Sequence, residues 1–388
     1  MNILFLSQTD PADASFGGAQ RTHLIHQSLC RHGRVYTLLP TFREELQTLD
    51  EEYRMARIYL ERRWSPRWMA RNLVCRVVPW IQLPSSRPFV LPRAWADVHM
   101  DLVVVRHADL AAYFHAWKMA PMLLDLDDFP MDLMDTQGRF RVQRLVRPLV
   151  SAWFRRIARH AACITVSHEG QCARLPSERP CVVLPNIPSD RPKRVDTSSE
   201  AAGDFLLTVG VMSHPPNIKG VTRFLNEIWP QIHQVYPSLA YRIAGGGCPA
   251  DVRQTWEAVR GVEVLGFVKD LAPLYGYARA VVAPVETGSG TCIKVREALA
   301  WGRVCLAPSF GFRGIPQADI TPENGMFCYR TASDVLSALH SLEEVVWREK
   351  CQENARQFAA AHWSREAFDV ALDDAIFRTR DTSSEQVK

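Results

Sequence analysis

Within ten consecutive residues, 288–297, the chain reads GSGTCIKVRE, which sets Ser289, Gly290 and Thr291 in a small flexible turn ahead of Lys294 and Glu297. Those residue types at that spacing suit an anion followed by a polyol. The first backbone N–H groups of a helix have no intrahelical acceptor, and the helix dipole favours negative charge there. Lys294 adds a full positive charge, as a phosphate requires. Glu297, one turn on, repels a phosphate and instead accepts hydrogen bonds from hydroxyls such as those of a ribose. Taken alone, the pattern also fits a capped helix with one exposed Lys294–Glu297 pair at i,i+3.

The surrounding residues position this turn. An apolar run at 280–285 predicts a strand that ends in the Gly288–Thr291 turn. A helix then starts near Thr291, packs through Ile293, Val295, Ala298, Leu299 and Trp301, and stops at Gly302. Upstream, strands are predicted at Phe205–Val209, Ala240–Ala244, Val262–Leu265 and Ala280–Ala283, with helices at Ile218–Val235 and Ala272–Arg279. Strand Val304–Ala307 and helices from Ser333 onward follow. The N-terminal half shows the same alternation. Strand Asn2–Ser7 leads to a Gly17-Gly18 loop, helix Gln20–His32 and strand Arg34–Leu39. Short apolar strands at Leu102–Arg106, Met122–Leu126, Ala162–Ser167 and Cys181–Leu184 come later. Residues 41–96 are charged, aromatic and Pro-broken, with helical parts expected, and Phe140–Ala161 reads as one or two basic helices interrupted near Pro148. Alternation of this kind predicts an α/β chain of two parallel-sheet domains. The expected boundaries are an N-terminal domain at 1–186, a Pro- and Ser-rich linker at 187–203 and a C-terminal domain at 204–363. A last helix at about 364–380 would pack back on the first domain.

The chain has 388 residues, 47% hydrophobic and 23% charged, with a net charge of +4. That balance is ordinary for a globular protein and does not call for nucleic acid. The positive charge is clustered, however: Arg62–Trp80 holds five Arg and Arg139–His160 seven, neither with an acid. Such basic segments, the first rich in Trp, suit an anionic membrane surface, or else solvated helices whose tryptophans pack inward. The ten Cys form no CxxC pair and no zinc spacing, which favours reduced thiols and a reducing compartment. The apolar start MNILFLSQTD is too short for a signal peptide, and no stretch is long enough to cross a bilayer. A cytoplasmic protein is expected.

Ligands of open parallel sheets bind outside the carboxyl ends of the strands. The polar loops fall there: Gly17-Gly18 and 125–128 in the first half, and 210–219, 245–247, 266–268 and 288–294 in the second. The DLDDF stretch tempts a divalent-cation reading of Asp125, Asp127 and Asp128. Strand alternation argues against it by putting Asp125 and Asp127 on one face and Asp128 on the other. Asp125 would otherwise pair with Arg106 or His107. His23 and His26 follow the GG loop but suit the surface or packing, whereas Arg106 and His107, at a strand end, suit a cleft. The GG loop lacks the GxGxxG spacing of a dinucleotide site.

In order and approximate spacing, the stretches LLTVGVMSHPPNIKG, RIAGGG, VEVLGFVKDLAPLYGYARAVVAPV and GSGTCIKVREALAWGRVCLAPSFGFRGI resemble the nucleotide-sugar half of glycosyltransferase family 4. The likeness covers about 150 residues well and the N-terminal half more loosely. It implies the GT-B fold: two Rossmann-like parallel-sheet domains facing across a cleft. It also implies residue roles. Glu297 matches the second Glu of an E-x7-E motif that holds the donor ribose. The first Glu of that motif is replaced by Ser289, and Glu286 is the residue placed to take part of its role. Gly290, Thr291 and Lys294 fall on the donor diphosphate, and Phe267 and Val268 on the base. The basic residue expected after the first strand of the second domain is missing at Val211-Met212, with His214 or Lys219 to compensate. Asp127 falls near a family active-site His. Gly17 and Gly18 would let backbone approach the diphosphate.

The resemblance therefore implies a retaining, metal-independent glycosyltransferase with no cofactor beyond its NDP-sugar donor. Its acceptor hydroxyl would lie on a lipid-linked glycan or an envelope polysaccharide precursor. Asp127, Lys294 and Glu297 would be its catalytic residues. Rival readings are a sugar-nucleotide epimerase on the same fold and a non-catalytic sugar-nucleotide or glycan binder.

Overall fold

The computed structural model describes residues 1–13, 17–41, 48–50, 54–59, 91–129, 131–132, 140–176, 178–188 and 203–385. They form two compact units, Met1–Pro185 with Glu366–Lys388, and Asn186–Arg365.

The first unit begins with β1 (Asn2–Leu6), whose Ile3–Leu6 side chains are fully buried, and α1 (Gly17–His32). Then come β2 (Arg34–Thr41), β3 (Thr48–Asp50), β4 (Met55–Tyr59), β5 (Leu102–Arg106), α2 (Ala108–Phe114) and β6 (Met122–Leu126). It continues with α3 (Phe140–Ala158), β7 (Cys163–Val166), α4 (Glu169–Cys172) and β8 (Cys181–Val183). The sheet order is β3-β4-β2-β1-β5-β6-β7-β8, and only β3 runs antiparallel. Runs such as LVVVR and MLLDL are buried at every position, as strands covered on both faces must be. Leu4, Val103, Val105 and Leu124 share one core with Phe114, Phe154 and Ile157 from the helices.

The second unit alternates β9 (Phe205–Val209), α5 (Pro215–Arg223), a π turn (Phe224–Ile228), α6 (Trp229–Val235), β10 (Ala240–Ala244), α7 (Ala250–Glu257) and β11 (Val262–Gly266). After these come α8 (Ala272–Tyr277), β12 (Ala280–Val282), α9 (Ile293–Ala300), β13 (Cys305–Ala307), β14 (Met326–Cys328), α10 (Ala332–Ser341) and α11 (Val345–His362). Its six strands are all parallel, in the order β11-β10-β9-β12-β13-β14. The chain leaves β9 first to one side and later to the other, so the gap between the β9 and β12 ends is a topological switch point, where such sheets bind ligands. The first unit has its switch between β1 and β5. The last helix, α12 (Arg365–Glu385), bonds to α1: Asp369 pairs with Arg31 (2.6 Å) and Asp373 with His32 (2.7 Å).

Several expectations need correction. The first helix starts at Gly17, so Gly17 and Gly18 are its opening residues and not a loop. The described parts of 41–96 include strands β3 and β4, which were not expected, as well as a short 3-10 helix at Arg93–Trp95; β4 pairs with β2 from Thr37↔Met55 to Thr41↔Tyr59. Helix α3 continues through Pro148, which costs a hydrogen bond without ending it. Helix α7 was not expected, because only its Trp256 is buried and the polar remainder shows no apolar stripe. Cys172 and Cys181 form a disulfide, against the expectation of reduced thiols throughout. The end of α4 and the start of β8 meet with their Cα atoms 6.0 Å apart, within bridging reach. The segment Arg62–Trp80 lies outside the described residues, as does 189–202 of the expected linker.

Candidate functional site

Three strand ends of the second unit, those of β9, β10 and β11, are stitched together by backbone bonds. Gly210 N–H donates to Ala244 O (3.0 Å), Met212 N–H to Gly246 O (2.8 Å) and Gly245 N–H to Gly266 O (2.7 Å). A side chain at Gly245 would place its Cβ 1.7 Å from Gly210 O, so only glycine permits this approach. On the other side of the switch point, a Cβ on Gly220 would fall 1.8 Å from Pro284 O, so α5 lies directly on the chain leaving β12.

Lys294 reaches into this place from the first turn of α9. A Cβ on Gly210 would stand 2.5 Å from Lys294 Cε and 3.3 Å from its Nζ, which puts the ammonium against bare backbone at the end of β9. His214, the N-cap residue of α5, lies close enough to feel it: burial first, and then the Lys294 charge, lower the imidazole's proton affinity. His214 is therefore a neutral hydrogen-bonding group at neutral pH and does not replace the missing cation. Lys219 is exposed on α5. Gly210→Ala should leave the fold intact, because the flexible end of Lys294 must move and the Asn217 amide, 3.2 Å from the new Cβ, need give by only a few tenths of an ångström. The moved ammonium should lower turnover roughly 10- to 100-fold, since small displacements of a catalytic group have that effect. A melting temperature within a few degrees of wild type together with unchanged turnover would remove Lys294 from the site.

Glu297 lies one turn further along α9, where the buried Tyr275 hydroxyl donates to its Oε2 (3.4 Å). Tyr275 stacks on Trp301 with ring centroids 5.4 Å apart, and this stack fixes the hydroxyl. Helix α9 starts at Ile293 with Cys292 as its N-cap, later than expected, and Gly302 ends it in the left-handed region (φ 65°) as the sequence predicts. The turn before it is held from outside. Thr291 Oγ1 accepts from Asn186 Nδ2 (3.0 Å), and Arg296 Nη1 donates to Asn186 O. Arg313 Nη2 donates to Ser289 O (2.7 Å), and its Nε to Gly290 O. Glu286 is ion-paired with Arg223, which also holds Glu227 (2.7 Å), so its carboxylate is already engaged toward α5. Phe267 is 76% exposed beside Gly246, and Val268 is half-buried.

In the first unit, the predicted Asp125, Asp127, Arg106 and Gly18 meet in a buried network. Arg21, which the sequence did not single out, grips Asp125 from two nitrogens (Nε 3.0 Å, Nη2 2.6 Å) and donates to Leu184 O (2.7 Å). Arg106 Nε lies 3.2 Å from Asp125, while its Nη2 reaches Asp127 Oδ2 (2.9 Å) and its Nη1 reaches Gly18 O (2.7 Å) and Thr22 Oγ1 (2.6 Å). Thr165 Oγ1 completes the shell of Asp125 (2.6 Å). Its two carboxylate oxygens are thus committed to arginines and a hydroxyl. The expected pairing with Arg106 is present, and His107 bonds only through its backbone N–H to Asp125 O (3.0 Å). Asp127 Oδ1 is buried without a hydrogen-bond partner among the described residues, and Gln171 holds the Asp127 carbonyl (3.1 Å). His23 bonds to Pro11 O (2.7 Å) and His26 packs on Phe5 (6.0 Å between ring centroids), both packing roles.

Two Rossmann-like sheets, the second with Gly-rich strand ends around a lysine at its switch point, are the architecture of the GT-B fold. Residues 203–344 match the family model described as glycosyl transferases group 1, so this part of the chain is similar to glycosyltransferase family 4. The fold is shared with a sucrose-phosphate synthase from Thermosynechococcus elongatus (16% identity, TM-score 0.69, covering 98% of this chain and 99% of that one). It is also shared with HepE of Anabaena in complex with UDP (15%, TM-score 0.64, 97% and 99%). A third likeness is to a glycosyltransferase from Rickettsia africae (12%, TM-score 0.62, 98% and 98%). No curated protein matches the sequence.

Proposed function

We propose that the protein is a retaining glycosyltransferase that moves a sugar from an NDP-sugar to a hydroxyl of a lipid-linked glycan or envelope polysaccharide precursor. The observation that carries the donor half of this reading is Lys294 lying on the bare backbone of Gly210 at the β9/β12 switch point. There the ammonium and the N–H groups of Gly290 and Thr291 stabilise the leaving diphosphate as the glycosidic bond lengthens. The leaving phosphate itself takes the acceptor's proton, so no enzyme nucleophile is required. Glu297, held by Tyr275, accepts from the ribose hydroxyls, and the exposed Phe267 with Val268 meets the base. Ser289 stands in the turn where a Glu would approach the donor sugar, and Glu286 would serve there only on leaving Arg223. Asp127 orients a sugar hydroxyl through its uncommitted oxygen, beside the α1 start at Gly17 and Gly18.

The test is a thermal-shift screen of UDP-, GDP-, ADP- and dTDP-sugars, because a bound ligand stabilises the folded state by mass action. One of the four should raise the melting temperature; no shift with any counts against the reading. With that nucleotide, Glu297→Gln should weaken binding roughly 10- to 100-fold, the loss of a charge-assisted hydrogen bond or two. An unchanged Kd removes the ribose assignment.

The place of work we propose is the cytoplasmic face of a membrane. No helix among the described residues is long and apolar enough to cross one. Helix α3 exposes Leu149 (70%) together with Arg155 and Arg156, the composition of an interfacial helix. Vesicles rich in anionic lipid should sediment the protein at low salt and release it at high salt. No sedimentation at any salt refutes the membrane contact.

A further inference from the structure

Arg313 is given no role of its own by the sequence, yet it makes three bonds to backbone carbonyls. Its Nη1 donates to Phe310 O (3.1 Å), its Nη2 to Ser289 O (2.7 Å) and its Nε to Gly290 O, with the guanidinium carbon 4.0 Å from the centroid of the Phe310 ring. The anchor is thus the β13 exit, and the load is the turn before α9.

The direction of those two carbonyls has a chemical meaning. No peptide bond in the described chain is cis, and in a trans peptide the C=O of one residue points opposite to the N–H of the next. With the Ser289 and Gly290 carbonyls turned onto Arg313, the N–H groups of Gly290 and Thr291 point the other way. Neither of these donates to a backbone carbonyl among the described residues. Gly290 has φ 62°, and a left-handed residue within such a turn gathers successive N–H groups into an anion-binding concavity.

We propose that Arg313 is the positioning residue of the donor site: by fixing two peptide planes, it presents the Gly290 and Thr291 N–H groups as a preformed cradle for the diphosphate. This rests on the donor reading of residues 289–294. Lysine in its place keeps the charge but, with a single nitrogen, does not hold two carbonyls and the Phe310 anchor in a fixed fork.

The test separates a cradle from a merely structural role by comparing ligands with and without the diphosphate. UDP, GDP, ADP and dTDP are each titrated calorimetrically beside their own nucleosides into wild type, Arg313→Lys, Arg313→Gln and Lys294→Ala. For the nucleotide that wild type binds, both Arg313 variants should lose roughly 10- to 100-fold in diphosphate affinity while the affinity for the nucleoside stays within about twofold. If diphosphate and nucleoside weaken together, Arg313 only holds the fold and the proposal fails. If Lys294→Ala weakens diphosphate binding but the Arg313 variants do not, the donor reading stands and the Arg313 inference alone is overturned. If wild type binds no diphosphate more tightly than its nucleoside, both are overturned. Arg313→Lys, which retains charge and length, covers the case in which Arg313→Gln does not fold.

Discussion

Lys294→Ala should give a folded protein whose turnover is lower by roughly 100- to 1,000-fold, the usual effect of removing one preorganised group from a developing oxyanion. The size follows from the position. The ammonium is half-buried, and neither of the two residues expected to compensate beside it can replace it: His214 is held neutral and Lys219 is exposed on α5. Burial strengthens a charge–charge interaction relative to water, so the loss should fall chiefly on kcat and less on the affinity for the base and ribose. The melting temperature of the free protein should change little, since the ammonium lies against Gly210 and makes no described ion pair. Turnover within threefold of wild type would place the diphosphate elsewhere.

The second large effect is on stability. Asp125→Ala should destabilise the protein by about 3–5 kcal/mol, because it leaves the buried Arg21 and Arg106 without the carboxylate they share. The same network sets a pH dependence. Burial acts to raise the Asp125 carboxyl, but the Arg21 and Arg106 charges and the Arg21 and Thr165 hydrogen bonds prevail and hold it well below the usual carboxylate range. A carboxyl that binds its proton more weakly when folded adds stability at every pH above its unfolded value, about 3.9. That stability is lost as pH falls below it. Denaturant melts from pH 7 down to pH 2 should show a steep loss below about pH 4 in wild type. In Asp125→Asn the loss should be shallower and start from a lower plateau. Parallel curves would mean that Asp125 contributes no acid sensitivity.

What the sequence made legible was what is written locally. Strands such as FLLTV and LVVVR are unbroken apolar runs between glycine or charged punctuation, so their buried parallel character can be read directly. The turn, Lys294 and Glu297 lie within ten residues of one another, and the structure puts their helix within two residues of its expected start. What could not be read are contacts between distant residues. Arg21 meets Asp125 across 104 positions and Arg313 meets Gly290 across 23, with nothing near either arginine to announce the partner. Strand β14 has three residues and owes its place to β13, not to any pattern of its own. Gly17 and Gly18 look like loop residues because glycine favours no helix, yet the Gly18 carbonyl is fixed by Arg106 and Thr22.

The helix α12 belongs with α1, while Asn186–Arg365 is a complete unit set between the two parts of the first. During synthesis the chain emerges in order, so the second unit has all its described strands while the first unit still lacks helix α12. The unit made first is therefore the one finished last. Until Asp369 arrives, the contacts it makes with Ser28 and Arg31 on α1 cannot form, and a ribosome stalled within α12 would leave that face of α1 open to the folding machinery of the cell.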